Sequence, residues 1–253
     1  MIMKIVASIQ IRMGSSRLPG KALKEIAGKS LLEWQIERLK RSLLIDEIIL
    51  ATTFKPQDDV LEQEAYRLGI SCFRGSEDNV LERVCQAVEN SKADIHLEFY
   101  GDSPFVDPLL IDQTIGYLLK NFPHLDYVTT ALKTTYPPGL EVTVYKANFL
   151  IRAHQSAASS DPLREHTGPN ILKLDGIIIE NLEAPAEFNY PEFYFEIDTQ
   201  EDFLMLSSLI QLVLNKYGSK FTSQNLIEIA KQNPEIIEMN TNVHRRWKAF
   251  RTE

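Results

Sequence analysis

The residues best suited to chemistry lie in one polar loop, residues 10–21, which contains three cations, two glycines and two serines. The loop follows the apolar run 5–9 and precedes residues 31–39, whose apolar residues have helical spacing. Small residues let backbone N–H groups approach phosphate oxygens, and cations neutralise the phosphate charge. We therefore predict a site for a nucleoside triphosphate, formed by Arg12, Gly14, Ser15, Ser16, Arg17 and Lys21.

The loop matches neither of two widespread phosphate-binding motifs. A P-loop has the pattern G-x-x-x-x-G-K-[ST]. Gly28, Lys29 and Ser30 end like that motif, but Leu23 stands where its first glycine belongs. The G-x-G-x-x-G pattern of dinucleotide-binding folds is also absent from the sequence. The alternative interpretation of the loop is a solvated segment with incidental charge.

Two aspartates farther along the chain directly follow predicted strands. Asp102 comes after the apolar run 95–100, and Gly101 before it permits close approach of the chain to a ligand. Asp198 follows the predicted strand 192–197. A nucleoside triphosphate is bound together with Mg²⁺, which prefers one or two carboxylates plus phosphate oxygens. We predict Asp102 and Asp198 as the magnesium ligands.

Helix capping competes with ligand binding for some of these acids. Asp107 precedes a helix that opens with a proline, and we interpret it as the N-cap. Asp198 is an alternative N-cap for the helix that starts at Gln200, with Glu201 completing a capping box. Asp198 and Thr199 can also divide the two tasks. Glu196 and Asp202 are predicted to lie on the surface or behind the ligands.

Weaker candidates lie at other predicted strand ends and in two later loops. Arg74 ends a short strand and is placed to reach a base or a phosphate. Residues 134–141 and 164–170 are predicted to form the acceptor pocket, in which an arginine would grip a carboxylate with two parallel hydrogen bonds. The candidate acceptor-binding residues are Glu141, Arg164 and His166.

Strand and helix patterns alternate through the first half of the chain. This alternation predicts a three-layer α/β domain with a doubly wound, mostly parallel sheet and right-handed crossovers. In such sheets ligands bind at the carboxyl ends of the strands, where the loops after residues 9 and 100 would meet. The predicted strands are residues 4–9, 47–52, 70–73 and 95–100, and the helices are 30–42, 57–68, 78–90 and 108–121.

The second half is less regular, and no composition shift marks a linker. We predict a single domain over residues 1–253, with a β-rich insertion at about 134–196 and a C-terminal helix and basic tail at 218–253. Predicted elements here are strands 126–133, 139–145, 177–182 and 192–197, and helices 146–156, 200–217 and 222–232. The basic tail, 244–251, is predicted to be solvated or to pack in a dimer.

Composition excludes several classes of protein. The formal net charge of −8 argues against general nucleic-acid binding, which requires a basic face. No apolar run approaches the roughly 20 residues of a membrane span, and the N-terminus does not resemble a signal peptide. Cys72 and Cys85 lack the spacing of a zinc site or a disulfide framework, which favours a reducing, cytoplasmic location.

Taken together, these motifs resemble the cytidylyltransferase family, which includes the CMP-KDO and CMP-acylneuraminate synthetases, and above all its SpsF branch. The opening string IQIRMGSSRLPGKAL is the most specific part of the resemblance, which runs from about residue 4 to 206. Later blocks occur in the order of that branch: FRGSEDNVLERV, GDSPFVDP, GLEVTVY, REHTGP and IDTQEDF.

The resemblance implies a nucleotide-diphospho-sugar transferase fold, which is Rossmann-like, together with Mg²⁺ dependence and a homodimer. It also implies that Arg12, Ser15, Arg17 and Lys21 hold the triphosphate, that Arg74 lies near the nucleotide, and that Asp102 and Asp198 hold Mg²⁺. The chain departs from the family pattern in three places. Ile11 replaces a usual alanine, Ser16 a common threonine, and Tyr100 the glutamine with which KDO synthetases read the base.

The activity that follows is transfer of CMP from CTP to a sugar with release of pyrophosphate. We expect an acidic sugar of surface polysaccharide or glycan biosynthesis, and Lys21, Arg12 and Asp102 as the catalytic residues. One alternative is a glycosyltransferase that uses a nucleotide sugar, which would hold a diphosphate and release no pyrophosphate. Another is a non-catalytic nucleotide-binding protein, although such a protein has less need of two carboxylates beside a triphosphate.

Overall fold

The first apolar run forms the central strand β1, Ile5–Gln10, in which every residue is buried. The computed structural model describes residues 3–245. β1 pairs in parallel with a later strand on each side, and its odd and even residues face different helical layers. Burial on both faces explains why the run is continuously apolar rather than alternating.

The main sheet of the described region has seven strands. Besides β1 these are β4 (Glu47–Thr53), β5 (Ser71–Gly75), β6 (Ile95–Tyr100), β7 (Tyr127–Thr129), β8 (Thr143–Lys146) and β9 (Ile179–Asn181); β2 (Glu25–Ile26) and β3 (Lys29–Ser30) form a separate antiparallel pair. The order in the sheet is β5-β4-β1-β6-β8-β7-β9, and within residues 3–245 β8 alone runs against its neighbours. The predicted mostly parallel, doubly wound sheet is confirmed.

Helices cover both faces of this sheet. They are α1 (Leu31–Leu39), α2 (Asp59–Arg67), α3 (Val80–Ser91), α4 (Pro108–Lys120), α5 (Ala147–Ser156), α6 (Gly168–Leu172), α7 (Gln200–Tyr217), α8 (Ser223–Gln232) and α9 (Pro234–Ile237). Short 3₁₀ turns span Lys21–Leu23, Pro56–Asp58, Pro162–Glu165 and Glu238–Asn240. Helices α1, α2 and α4 pack on one face, while α3, α5 and α6 pack on the other.

The last two long helices form a third apolar cluster beside the main sheet. Helices α7 and α8 bury leucines and isoleucines against Trp34, Phe105 and Phe221, whose rings contact one another. Thr222 caps α8 by accepting a hydrogen bond from the Asn225 backbone N–H, as the sequence predicts. This cluster fixes the start of α7, the segment that carries Asp198, relative to the sheet.

The segment 134–196 differs from the predicted β-rich insertion. Strands β8 and β9 belong to the main sheet, and most of the remainder is helical or irregular. The predicted strand 192–197 is wrong, because these residues make only isolated backbone hydrogen bonds. Phe195 N donates to Pro138 O (2.8 Å), and Ile197 N donates to Asp102 O (2.8 Å). The second bond brings the two predicted metal-binding segments side by side.

Other sequence predictions are tested by simple observations. Cys72 and Cys85 are both free thiols. Among residues 3–245, no helix combines the length and the hydropathy that crossing a membrane would require. Of the basic tail the structure describes residues 244 and 245, and Arg245 is buried rather than solvated. Residues 246–251 of that tail lie outside the described part of the chain.

One glycine is required by the packing of two distant segments. Gly139 has φ +97°, a backbone conformation that residues with a side chain rarely adopt. A Cβ atom there would lie 2.5 Å from the Phe195 carbonyl carbon and 2.6 Å from the Glu196 nitrogen. Since both neighbours are backbone atoms, neither can move aside without displacing the chain that leads into Asp198.

We predict that Gly139→Ala lowers the free energy of unfolding by at least about 2 kcal/mol, because φ strain and a backbone clash add. Urea unfolding followed by circular dichroism measures the change. Gly116→Ala is the matched control. Gly116 lies inside α4 with open space at its Cβ, so the same substitution should stabilise the protein by about 0.5–1 kcal/mol. Equal effects of the two changes would contradict the prediction.

Candidate functional site

A cleft of about 430 Å³ lies between the loops that follow β1 and β6. Strand β1 has β4 on one side and β6 on the other, so the chain winds outward in both directions from this point. Such a switch in strand order opens a crevice at the carboxyl ends of the strands. Six predicted phosphate-binding residues line the cleft: Arg12, Gly14, Ser15, Ser16, Arg17 and Lys21.

The predicted phosphate-binding loop, residues 10–21 (below, the phosphate loop), is attached to the rest of the protein by a few contacts. The Met13 backbone N–H donates to the carboxylate of the buried Asp58 (2.8 Å). Gly20, with φ +66°, donates its N–H to Met13 O (3.2 Å), which closes the loop on itself. Leu18 is buried in the cluster formed with α7 and α8. The loop is therefore anchored at several points while its small residues face the cleft.

Lys21 connects this loop to both predicted metal ligands. Its Nζ atom donates to Ile197 O (2.9 Å) and to Asp198 Oδ1 (3.2 Å), and lies 3.7 Å from Asp102 Oδ2. Arg17 pairs with the other oxygen of Asp198 (2.9 Å). The structure thus brings Arg17, Lys21, Asp102 and Asp198 together, although they are far apart in the chain.

Capping of α7 leaves the Asp198 carboxylate available for these cations. Thr199 is the N-cap, and its side chain accepts a hydrogen bond from the Asp202 N–H. Asp202, not Glu201, completes the capping box, so that part of the sequence prediction is wrong. Asp202 is fully buried and accepts a hydrogen bond from Asp198 N (3.1 Å), so of its two predicted positions it takes the one behind the ligands. Asp107, by contrast, caps α4 as predicted, with its carboxylate accepting from Leu109 N (2.9 Å).

The carboxyl groups in this part of the site shift one another's pKa. Burial raises the pKa of Asp102; Lys21 opposes this effect and Asp198 reinforces it. Burial also raises the pKa of Glu196 well above its usual range, and the nearby carboxylates of Asp102, Glu141 and Asp198 add to the rise. Glu141, a predicted acceptor-binding residue, therefore lies close to this group, although it does not line the cleft itself.

The structure does not bring two of the predicted arginines to the cleft. Arg74 donates to Thr53 O (2.8 Å) and forms ion pairs with Asp59 (2.7 Å) and Glu62 (3.1 Å) of α2. Arg164 donates to the backbone oxygens of residues 157 and 158, at 3.2 and 3.1 Å. Both guanidinium groups stabilise local structure. His166, the remaining acceptor candidate, does line the cleft.

Gly101 lines the cleft, but its immediate packing neighbour is Ile11. A Cβ atom on Gly101 would lie 2.5 Å from Ile11 Cδ1 and 2.6 Å from Ile11 Cγ1. Ile11 is one of the positions at which this chain departs from the family pattern, where alanine is usual. The larger side chain is buried against Gly101 and therefore requires the glycine whether or not a ligand is bound.

Sequence reasoning missed Arg83, which projects from α3 into the lining of the cleft. It is buried, and its Nε atom has no hydrogen-bond partner within the described structure. Burial, with a smaller contribution from Arg12, lowers the pKa of Arg83 to about 10. Arg83 is one of the buried residues of α3, but it lies away from the face formed by Leu81, Cys85 and Val88, so the spacing of the apolar residues gave no signal for it.

A polar network around the buried Glu98 was also missed. Gln10 and Tyr100 are register partners at the ends of β1 and β6. The Gln10 Nε2 group donates to Glu98 Oε1 (2.7 Å) and to Thr167 Oγ1 (3.3 Å), while the Tyr100 hydroxyl donates to Glu98 (2.5 Å). Glu98 is 6 % exposed. Tyr100, which stood out in the sequence only as a replacement for glutamine, is thus part of this hydrogen-bond network.

The donor set of the cleft suits a hard divalent cation. Within residues 3–245 no group of three or more His, Cys, Asp or Glu side chains is arranged to hold a metal. Two carboxylates together with phosphate oxygens are nevertheless the ligands that Mg²⁺ usually takes in nucleotide sites. Asp102 and Asp198, which converge on Lys21, fit that requirement.

Fold and site together define a nucleotide-binding α/β protein of the Rossmann-like nucleotidyltransferase type. The sequence profile described as cytidylyltransferase matches residues 6–238. The chain therefore belongs to the cytidylyltransferase family, as the sequence resemblance predicts.

Individual relatives agree with this membership. The chain is 33 % identical over 238 residues to the spore coat polysaccharide biosynthesis protein SpsF of Bacillus subtilis, covering 91 % of this chain and 95 % of SpsF. It is 36 % identical over 121 residues to the 3-deoxy-manno-octulosonate cytidylyltransferase of Trichlorobacter lovleyi, covering 47 % of this chain and 46 % of that enzyme. A cytidylyltransferase structure from Leptospira borgpetersenii superimposes with a TM-score of 0.86 at 29 % identity, covering 96 % of this chain and all of the other.

We predict that Glu98 makes the stability of the protein depend on pH. Burial raises the pKa of Glu98 above its usual value near 4.5, although the hydrogen bonds it accepts oppose the rise. The folded state therefore binds this proton more tightly than the unfolded state. The contribution of Glu98 to stability is complete below the unfolded pKa and is lost as pH rises through the folded pKa.

Glu98→Gln should abolish this dependence. Urea unfolding of both proteins at several pH values between about 4 and 8, a range that spans the titration of carboxyl groups, gives the difference in stability. The wild type should lose stability relative to Glu98→Gln as pH rises. Glu183→Gln, at an exposed carboxylate, is the control and should give a constant difference. A constant difference for Glu98→Gln as well would refute the prediction.

Proposed function

We propose that this protein transfers CMP from CTP to a sugar hydroxyl and releases pyrophosphate. The observation that carries the proposal is the convergence of Arg17, Lys21 and Asp102, which line the cleft at the switch point of the sheet, with Asp198, which pairs with both cations. Membership of the cytidylyltransferase family supports nucleotidyl transfer as the reaction class.

The phosphate loop would bind the triphosphate through its cations and its backbone N–H groups. Nucleotidyl transfer depends chiefly on in-line positioning and on charge neutralisation rather than on covalent participation by the protein. Lys21 and Arg12 are proposed to stabilise the negative charge that develops on the departing pyrophosphate. Mg²⁺, held by Asp102 and Asp198, would supply further neutralisation of phosphate charge.

Charge balance within the cleft supports this assignment. Arg17 and Lys21 are matched by Asp102 and Asp198, so these four groups alone leave no excess positive charge. A magnesium–triphosphate complex retains net negative charge and requires additional cations. Arg12 and Arg83 line the same cleft and would meet that requirement once Arg12 leaves its ion pair with Glu77 (3.4 Å), an acid that also lines the cleft. The buried, unpartnered Nε of Arg83 is the kind of donor that a bound anion satisfies.

The orientation of Gln10 supports cytosine as the base. Its amide NH₂ group is committed to Glu98 and Thr167, which leaves the carbonyl oxygen as an acceptor at the lining of the cleft. The exocyclic N4 amino group of cytosine is a hydrogen-bond donor, whereas uracil carries a carbonyl at the same position. Gln10 would thus take over the base contact that Tyr100 cannot make.

The acceptor is proposed to be a sugar bound beside Asp102. His166 lines this part of the cleft, and Glu141 lies near Glu196 and Asp102. Arg164 is held by backbone oxygens of its own region, so an acidic sugar would need a different cation for its carboxylate. The acidic sugar, a homodimer and a cytoplasmic location remain predictions from the sequence.

We expect Lys21→Ala and Asp102→Ala each to reduce the rate of pyrophosphate release by about 100-fold or more, because each removes a preorganised charge. The assay contains Mg²⁺, one nucleoside triphosphate at a time and a panel of acidic and neutral sugars. Lys29→Ala removes a partly buried ammonium of the same type, paired with Glu37 outside the cleft, and should retain activity. Circular dichroism checks that all three variants remain folded.

The outcomes separate the alternatives. Near wild-type rates in either Lys21→Ala or Asp102→Ala would disprove the assigned roles. Release of a nucleoside diphosphate from a nucleotide sugar, without pyrophosphate, would indicate a glycosyltransferase. Binding of CTP without turnover of any acceptor would indicate a non-catalytic nucleotide-binding protein.

Base choice is tested by Gln10→Ala, which should lower the preference for CTP over UTP by about tenfold through loss of one hydrogen bond in a partly buried site. Calorimetric titration with each triphosphate and Mg²⁺ measures affinity independently of turnover. Gln211→Ala removes an exposed amide on α7 and should leave the preference unchanged. A wild type that binds UTP as tightly as CTP would exclude Gln10 as the base-reading residue.

A further inference from the structure

The last described residue, Arg245, is buried against the start of α7. Its side chain is 7 % exposed, and its NH1 atom lies 2.8 Å from Asp202 Oδ1 and 3.0 Å from Asp202 Oδ2. Its NH2 atom donates to Asn240 O (3.0 Å), and the guanidinium carbon lies 3.4 Å from the centre of the Tyr194 ring. An arginine held this closely has a defined position.

Asp202 connects Arg245 to the Asp198 segment. Its Oδ2 atom accepts hydrogen bonds from Asp198 N (3.1 Å) and Thr199 N (2.9 Å). Its Oδ1 atom accepts from Asn240 Nδ2 (2.9 Å) and from Arg245. One fully buried carboxylate therefore holds the backbone of the candidate metal-binding segment with one oxygen and the C-terminal segment mainly with the other.

We propose that Arg245 is a positioning residue: through Asp202, it fixes the backbone of residues 198 and 199 and so holds the Asp198 carboxylate against Arg17 and Lys21. The inference rests on the proposed function in that Asp198 is a proposed metal ligand. It adds a contribution from beyond residue 238, where the match to the family profile ends.

The capping box alone does not explain this arrangement. Thr199 and Asp202 already satisfy the first turn of α7, so the helix has no need of a distant arginine. The arginine contacts both oxygens of the carboxylate with NH1 and the Asn240 carbonyl with NH2, and thereby restricts rotation of the Asp202 side chain. A lysine carries the same charge but lacks the fork geometry.

Amide hydrogen exchange of the full-length, unliganded protein tests the positioning directly. In Arg245→Ala, the amides of residues 198 and 199 should exchange about tenfold faster. Without the arginine, Asp202 holds these amides less firmly, so local opening costs less free energy. Arg245→Lys should show a smaller increase and serves if the alanine variant does not fold. The control is Leu150→Ala, a core truncation in α5 within a different apolar cluster, which lowers global stability and should change these two rates by less than about twofold.

Metal affinity provides the second readout. Mn²⁺ titrated into each protein with CTP, and followed by electron spin resonance, should bind about tenfold more weakly to Arg245→Ala, as is usual when support of a metal ligand is lost. Unchanged exchange at residues 198 and 199 would overturn the inference, as would the same acceleration in Leu150→Ala. If the wild type binds no Mn²⁺ with CTP, the proposed metal site fails, while the exchange rates still decide whether Arg245 positions Asp198.

Discussion

The site depends on one ammonium group, that of Lys21, placed between two carboxylates and a backbone oxygen. Its contact with Ile197 O joins residues separated by 176 positions in the chain. The Lys21 side chain is 13 % exposed, so its charge requires acceptors in place of water. Asp102 and Asp198 in turn repel each other unless a cation lies between them. Each of the three groups therefore requires the other two.

In this fold, strands and packed helices position some of these groups, and an anchored loop carries the others. Strands β1 and β6 place residues 10 and 100 side by side, and the cluster of α7 and α8 sets the position of Asp198. The phosphate loop crosses above them and is anchored through Asp58 and Leu18. Charged groups held in place by rigid elements are the condition for effective electrostatic stabilisation.

Backbone patterns were predictable from sequence, whereas the partners of individual side chains often were not. Strand–helix alternation located the ends of β1 and β6, and the first loop contained its own chemistry. Arg74 and Arg164 looked equally suitable for binding a ligand. In the structure, however, carboxylates of α2 bind Arg74, and backbone oxygens near α5 bind Arg164. Those neighbours arise from tertiary packing. The choice between the two predicted positions of Asp202 also depended on tertiary packing, since its buried partner Arg245 comes from a distant segment.

The network around Glu98 links the charge of a buried acid to what the cleft can recognise. Glu98 has hydroxyl and amide donors but no cation among its hydrogen-bond partners, so burial raises its pKa. While it is ionised it accepts from Gln10, and the Gln10 carbonyl is left for a donor such as the amino group of cytosine. A protonated Glu98 would itself need an acceptor, and rotation of the Gln10 amide would supply one. The cleft would then present a donor instead, so the proposed preference for cytosine requires that Glu98 stay ionised.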